Sequence, residues 1–119
     1  MLPIILDVSS LKVAVIGNGL QAVKRLDMLR DADVNKIDIF APAPGAEMQA
    51  AGGDDVRLYL PTTEDVSKYA IIFIANLDDD EAKKLAGAAR EQGVLVNVED
   101  VKPLCDFHVP SIIRRGKLL

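Results

Sequence analysis

The stretch Lys12-Val13-Ala14-Val15-Ile16-Gly17-Asn18-Gly19-Leu20-Gln21-Ala22-Val23-Lys24-Arg25-Leu26 decides the fold. An apolar run stops abruptly at Gly17, a second glycine follows at Gly19, and a small residue at Ala22 completes G-x-G-x-x-A. With a strand before it and a helix after it, this spacing is that of a dinucleotide-binding turn. Gly17 allows the tight strand-to-helix turn. Gly19 lets the backbone approach a pyrophosphate, and Ala22 lets the helix pack against the strand. The phosphates would meet free N–H groups at the positive end of the helix. The plainer reading of the same residues is a tight βα turn that binds nothing.

Working outward, the first strand is expected over residues 11–16 and the first helix over 19–30, with Ala22, Val23, Leu26 and Leu29 as its buried stripe. Asp27, Arg30 and Asp31 should face water, as should Lys24 and Arg25 unless an anionic ligand passes them. A second strand is expected over 36–41. The acid that takes a ribose 2′-OH in many NAD-binding domains is missing from its end, which reads Phe40-Ala41-Pro42. Asp38 is mid-strand and no Arg for a 2′-phosphate appears there, so this end does not decide between NAD and NADP; NAD is the expected cofactor, with NADP left open. Residues 42–55, rich in Pro, Gly and Ala, read as loop with room for a short helix around 46–51. A third strand follows at 56–60, then a brief helix through Ser67 capped by Thr62 or Thr63. The apolar run 70–75 reads as a strand buried on both faces. Asp78-Asp79-Asp80-Glu81 should open a helix to Gln92, its acids suiting the helix dipole and Gly93 its C-terminal stop. Val94 to Val98 is the fifth strand.

Alternation of this kind predicts an α/β, Rossmann-like, doubly wound sheet: five mostly parallel strands with helices on both faces. Ligands bind such sheets beyond the C-terminal strand ends. The expected nucleotide contacts are therefore Gly17, Asn18, Gly19, Leu20, Gln21 and Ala22, with Ala41, Pro42, Ala75, Asn76 and Asn97.

The 119 residues are 50% hydrophobic and 27% charged, enough apolar material for the core of one domain. A net charge of −4 and a pI near 4.9 give no basic footprint for nucleic acid. No apolar stretch approaches the roughly 18 residues of a membrane span. The N-terminus lacks the basic start and cleavage site of a signal peptide. One cysteine forms no internal disulfide, which fits a cytoplasmic setting. One Cys and one His make no Cys/His zinc site within the chain, and no metal ligands are assigned. Cys105 reads as a small buried hydrophobe, and His108 as structural.

Four further stretches carry a resemblance: Leu2-Pro3-Ile4-Ile5-Leu6-Asp7, Gly17 to Arg25, Val96-Asn97-Val98-Glu99-Asp100, and Cys105-Asp106-Phe107 with Pro110-Ser111-Ile112-Ile113-Arg114-Arg115-Gly116. In order and over nearly the whole chain, they resemble the nucleotide domain of the siroheme-synthase family of precorrin-2 dehydrogenases. The resemblance implies NAD-dependent oxidation of precorrin-2 to sirohydrochlorin, with ferrous iron insertion in some members. It implies that Asp100 is the catalytic carboxylate, a role that suits a group receiving the proton lost alongside a hydride. Asp106 is a second candidate. It also implies a downstream dimerisation and substrate domain that these residues do not contain, a homodimer for the complete protein, and a C-terminal hairpin-like extension begun near Arg115-Gly116. Ile112, Ile113, Leu118 and Leu119 would then lie near an unpaired edge and favour self-association. The competing readings are a non-catalytic NAD(H)-binding regulatory module and a Rossmann-like remnant without nucleotide.

Overall fold

The computed structural model describes residues 1–110. The expected hairpin and the edge residues Ile112, Ile113, Leu118 and Leu119 lie outside the described residues.

Strand β1 (Lys12–Gly17) runs straight into helix α1 (Gly19–Asp31), then β2 (Lys36–Phe40), α2 (Ala46–Gly52) and β3 (Val56–Arg57). After a 3₁₀ turn at Asp65–Lys68 come β4 (Ile71–Ala75), α3 (Asp79–Glu91) and β5 (Leu95–Val98). All strand pairs are parallel, in the order β3-β2-β1-β4-β5. The chain therefore reverses direction across the sheet between β1 and β4, the switch point where α/β sheets bind ligands.

The side chains of each strand alternate between two cores. Val13, Val15, Ile71, Phe73 and Ala75 join Ala22, Leu26, Leu29 and Met48 on the α1–α2 face. Ala14, Ile16, Ile72, Ile74, Val96 and Val98 join Ala82, Leu85, Ala86 and Ala89 of α3 on the other. Each fully buried branched or aromatic side chain contributes about 1.5–3 kcal/mol. All of β4 is buried, which explains its uninterrupted apolar sequence.

One expectation is sharpened and another needs correction. Residues 42–55, read as loop with room for a short helix around 46–51, do contain a helix there, α2. Its Ala-Glu-Met-Gln-Ala-Ala run forms helix readily, Met48 is fully buried against the α1 face, and Arg30 of α1 donates to the Ala51 carbonyl at 2.8 Å. The third strand is only two residues long. It pairs with β2 alone, at Val56 and Arg57, and beyond that point Leu58 and Tyr59 turn out to solvent.

The outer edge of β5 is closed by the segment after it. Asp106 donates its backbone N–H to Val96 O at 2.8 Å and accepts the Val96 N–H on Oδ2 at 3.0 Å. Cys105 Sγ accepts from Val98 N and donates to Val98 O, both at 3.2 Å. Phe107 then reaches the α1 face and meets Phe73 edge-on at 5.5 Å. A free parallel edge is thereby capped, which removes a template for pairing with another chain.

Candidate functional site

Two neighbouring features occupy the C-terminal edge of the sheet. The first is the β1–α1 turn. Gly17 has φ 134°, and a Cβ there would overlap the carbonyl oxygen of Ala75 on β4. The glycine is thus required by the adjacent strand as much as by the turn. Asn18 N donates to that same carbonyl at 3.0 Å. The Asn18 side chain caps α1: Oδ1 accepts from Gly19 N at 2.9 Å and from Gly45 N at 3.0 Å, while Nδ2 donates to Ala43 O at 2.8 Å. One residue thereby ties the turn to the loop after Ala41 and Pro42. Ala41 itself is buried, with its N–H on Arg57 O at 2.9 Å.

Gly19 has φ 76°, and a Cβ there would come within 2.5 Å of Asn76 Nδ2. The space was expected for a phosphate, yet the Asn76 amide borders it. Asn76, itself at φ 53°, donates to Asn18 O at 3.0 Å and Gln21 Oε1 at 2.9 Å. Asn76 therefore spans from the end of β4 to the start of α1. Ala22 is wholly buried, so its part is packing rather than contact, while Leu20 is half-exposed at the helix start. The first N–H groups of a helix have no partner inside it, and α1 carries no acid in its first turn. That end can receive an anion.

The second feature is a cleft of about 480 Å³ at the end of β5, lined by Arg25, Asn97, Glu99, Asp100 and His108 among others. Asp100 is exposed and sits at φ 63°, a left-handed conformation that Asp tolerates better than most residues. Asn97 is 5% exposed and donates Nδ2 to Phe107 O at 2.9 Å. Arg25 was expected on a solvated helix face. Instead it reaches from α1 to form an ion pair with Glu99, both side chains being largely buried, while Lys24 beside it is exposed. No local signal marks this pair, because its partners are 74 positions apart.

Asp106 stands away from this chemistry. Its second oxygen takes Arg90 Nε at 3.1 Å, so one carboxylate oxygen serves the β5 edge and the other ties the segment to α3. Asp38 is likewise committed, to Tyr69 Oη at 2.6 Å and Arg57 at 3.2 Å. Burial, and then the Asp38 carboxylate, push the Tyr69 phenol well above its usual range, keeping it a neutral donor. Arg57, which sequence reading passed over, lies 5.2 Å above the Phe40 ring and places a cation beside the end of β2. The acid run caps α3: Asp78 Oδ2 accepts from Asp80 N at 3.2 Å. Among the described residues no group of three His, Cys, Asp or Glu side chains is placed to hold a metal, and no helix is long and apolar enough to cross a membrane.

A 3-2-1-4-5 parallel sheet with a glycine turn at its switch point defines a Rossmann-like domain of the dinucleotide-binding class. The family described as "Putative NAD(P)-binding" matches residues 4–111, and the chain belongs to it. It is similar along 99% of its length to siroheme synthases of Methylococcus capsulatus (35% identity) and Nitrosococcus oceani (32% identity). The chain spans about a quarter of those relatives, 25% and 26%. Among solved structures it is similar to SirC, a precorrin-2 dehydrogenase, with a TM-score of 0.79 and 26% identity, over 99% of this chain and 59% of that one.

Proposed function

We propose that this chain is the nucleotide-binding part of an NAD-dependent dehydrogenase that oxidises precorrin-2 to sirohydrochlorin. The similarity along its whole length to siroheme synthases and to SirC supports the substrate class. The observation that carries the assignment of roles is the contrast between two aspartates near β5. Asp100 is exposed at the rim of the cleft, whereas Asp106 has both oxygens engaged.

The residues present fit a nicotinamide dinucleotide. The acid-free start of α1 would hold the pyrophosphate, with Gly17, Asn18, Gly19, Leu20 and Gln21 around it. Ala41 and Pro42 would flank its adenosine side, and Asn76 and Asn97 its nicotinamide side. When bound, the nicotinamide supplies the hydride acceptor. Asp100 takes the proton that leaves the macrocycle as the hydride departs, and general base catalysis of this kind contributes about 10²–10⁴-fold. The same carboxylate could take pyrrole protons during insertion of ferrous iron, which is substrate to that step. The complete protein is proposed to work as a cytoplasmic homodimer.

The test uses the full-length protein with precorrin-2, following NADH formation. Asp100→Asn keeps the side-chain shape and removes the base, so turnover should fall about 10²–10⁴-fold while NAD still binds. Asp106→Asn should lower stability and leave turnover of the folded protein within a few-fold. Turnover of Asp100→Asn within a few-fold of the parent would refute the assignment.

A further inference from the structure

Among the described residues, Arg25 Nε and Asn97 Oδ1 are buried without a hydrogen-bond partner, and both residues line the cleft at the end of β5. Leaving a buried polar group unpaired is costly, so two among the residues of one cleft call for an explanation. The orientation of Asn97 follows from its partner. Only the amide nitrogen can donate to Phe107 O, so the free branch is the acceptor oxygen. Glu99 engages Nη2 of Arg25, which leaves Nε as a donor. The residues lining the cleft therefore carry one unused donor and one unused acceptor, both just beneath its surface.

That combination is selective. A carboxylate would satisfy Arg25 Nε but would set its second oxygen against Asn97 Oδ1, close to the Glu99 charge. A ketone would satisfy the arginine alone. A primary carboxamide satisfies both, its oxygen accepting from Arg25 Nε and its NH₂ donating to Asn97 Oδ1. Position favours the same group. β5 lies two strands from β1, roughly 10 Å at about 4.8 Å per strand. With the pyrophosphate at the α1 start and the adenosine towards β2, the nicotinamide end falls towards β4 and β5.

We infer that Asn97 and Arg25 read the carboxamide of the nicotinamide ring and thereby fix the rotation of the ring relative to Asp100. This rests on the nucleotide reading above and adds the atoms that distinguish nicotinamide from related rings. Both atoms are closed off from bulk water, so the cleft wall must give slightly as the carboxamide seats. Glu99 serves as a positioning residue, holding the guanidinium so that Nε stays available.

Calorimetry on this chain compares NAD⁺ with 3-acetylpyridine adenine dinucleotide, which keeps the ring carbonyl and lacks its N–H donors. NAD⁺ should bind about tenfold more tightly, as expected for one added hydrogen bond to a desolvated acceptor. Asn97→Ser should bring the two affinities together. Arg25→Lys keeps the charge for Glu99 and removes Nε, so it should weaken both nucleotides by a similar factor. Thermal unfolding checks that each variant is folded. If Asn97→Ser fails to fold, the parent's preference and Arg25→Lys still decide. Equal affinities in the parent, with both nucleotides weakened about tenfold by Leu20→Asp at the α1 start, would overturn the carboxamide assignment and leave the nucleotide reading standing. A preference that persists in folded Asn97→Ser would overturn it too. Absence of binding by either nucleotide would overturn both.

Discussion

Two helices of 13 residues begin at the C-terminal edge of the sheet, and their first turns carry opposite chemistry. Helix α1 follows β1 through two glycines, is capped by the neutral Asn18, and has no acid in its first turn. Helix α3 follows β4, is capped by Asp78, and carries Asp79, Asp80 and Glu81. An acid at such a position contributes about 0.3–1 kcal/mol through the helix dipole. The start of α3 is therefore electrostatically satisfied by its own side chains, and an incoming phosphate would meet their charge. The start of α1 keeps its positive end uncompensated. The difference favours the start of α1 over that of α3 for the proposed pyrophosphate.

The comparison breaks most severely at Gly17. In Gly17→Ala the added Cβ collides with the Ala75 carbonyl at a backbone angle that side chains rarely adopt. Overpacking costs about 1–3 kcal/mol and the strained φ about 1–3 kcal/mol. A loss near 4 kcal/mol in urea unfolding is expected, and a stability within about 1 kcal/mol of the parent would show that the strands can part.

Leu20→Asp sharpens the contrast, because it gives α1 the kind of first turn that α3 has. Leu20 is half-exposed, so the fold should tolerate the change. NAD affinity should fall about tenfold, a loss of about 1.4 kcal/mol, with thermal stability unchanged or slightly raised. Unaltered affinity would separate the phosphates from α1.

Asp78→Ala is the smallest of the three. Removing the cap of α3 should cost about 1 kcal/mol of stability and leave NAD affinity as it was. A loss of affinity would mean that the α3 start takes part in binding.

Much of this arrangement was legible in the chain. Apolar runs mark β1, β4 and β5, apolar periodicity marks α1, and the acidic start with Gly93 marks α3, each to within a residue or two. Helix α2 was partly obscured by the glycines and prolines around it, and the burial of Met48 with the Arg30 hydrogen bond to Ala51 adds to its local helix propensity. Strand β3 was overestimated because Leu58 and Tyr59 look like strand residues but have no neighbouring strand to pair with. At the site, the glycine turn and the position of Asp100 follow from spacing and resemblance. The engagement of Asp106 by Arg90, the tie from Asn18 to Ala43, and the Arg25–Glu99 pair do not. These contacts join segments separated by 16, 25 and 74 positions, and only the folded sheet brings them together.

The central claim is that the dinucleotide's phosphates sit at α1 and not at α3, and NAD⁺ titration followed by amide NMR of the ¹⁵N-labelled chain tests it most directly. Saturable shifts are expected at the N–H groups of residues 17–22 and at Asn76, with the amides of residues 79–82 in the acidic first turn of α3 nearly still. Shifts concentrated at residues 79–82, or none at residues 17–22 at saturating nucleotide, would contradict it.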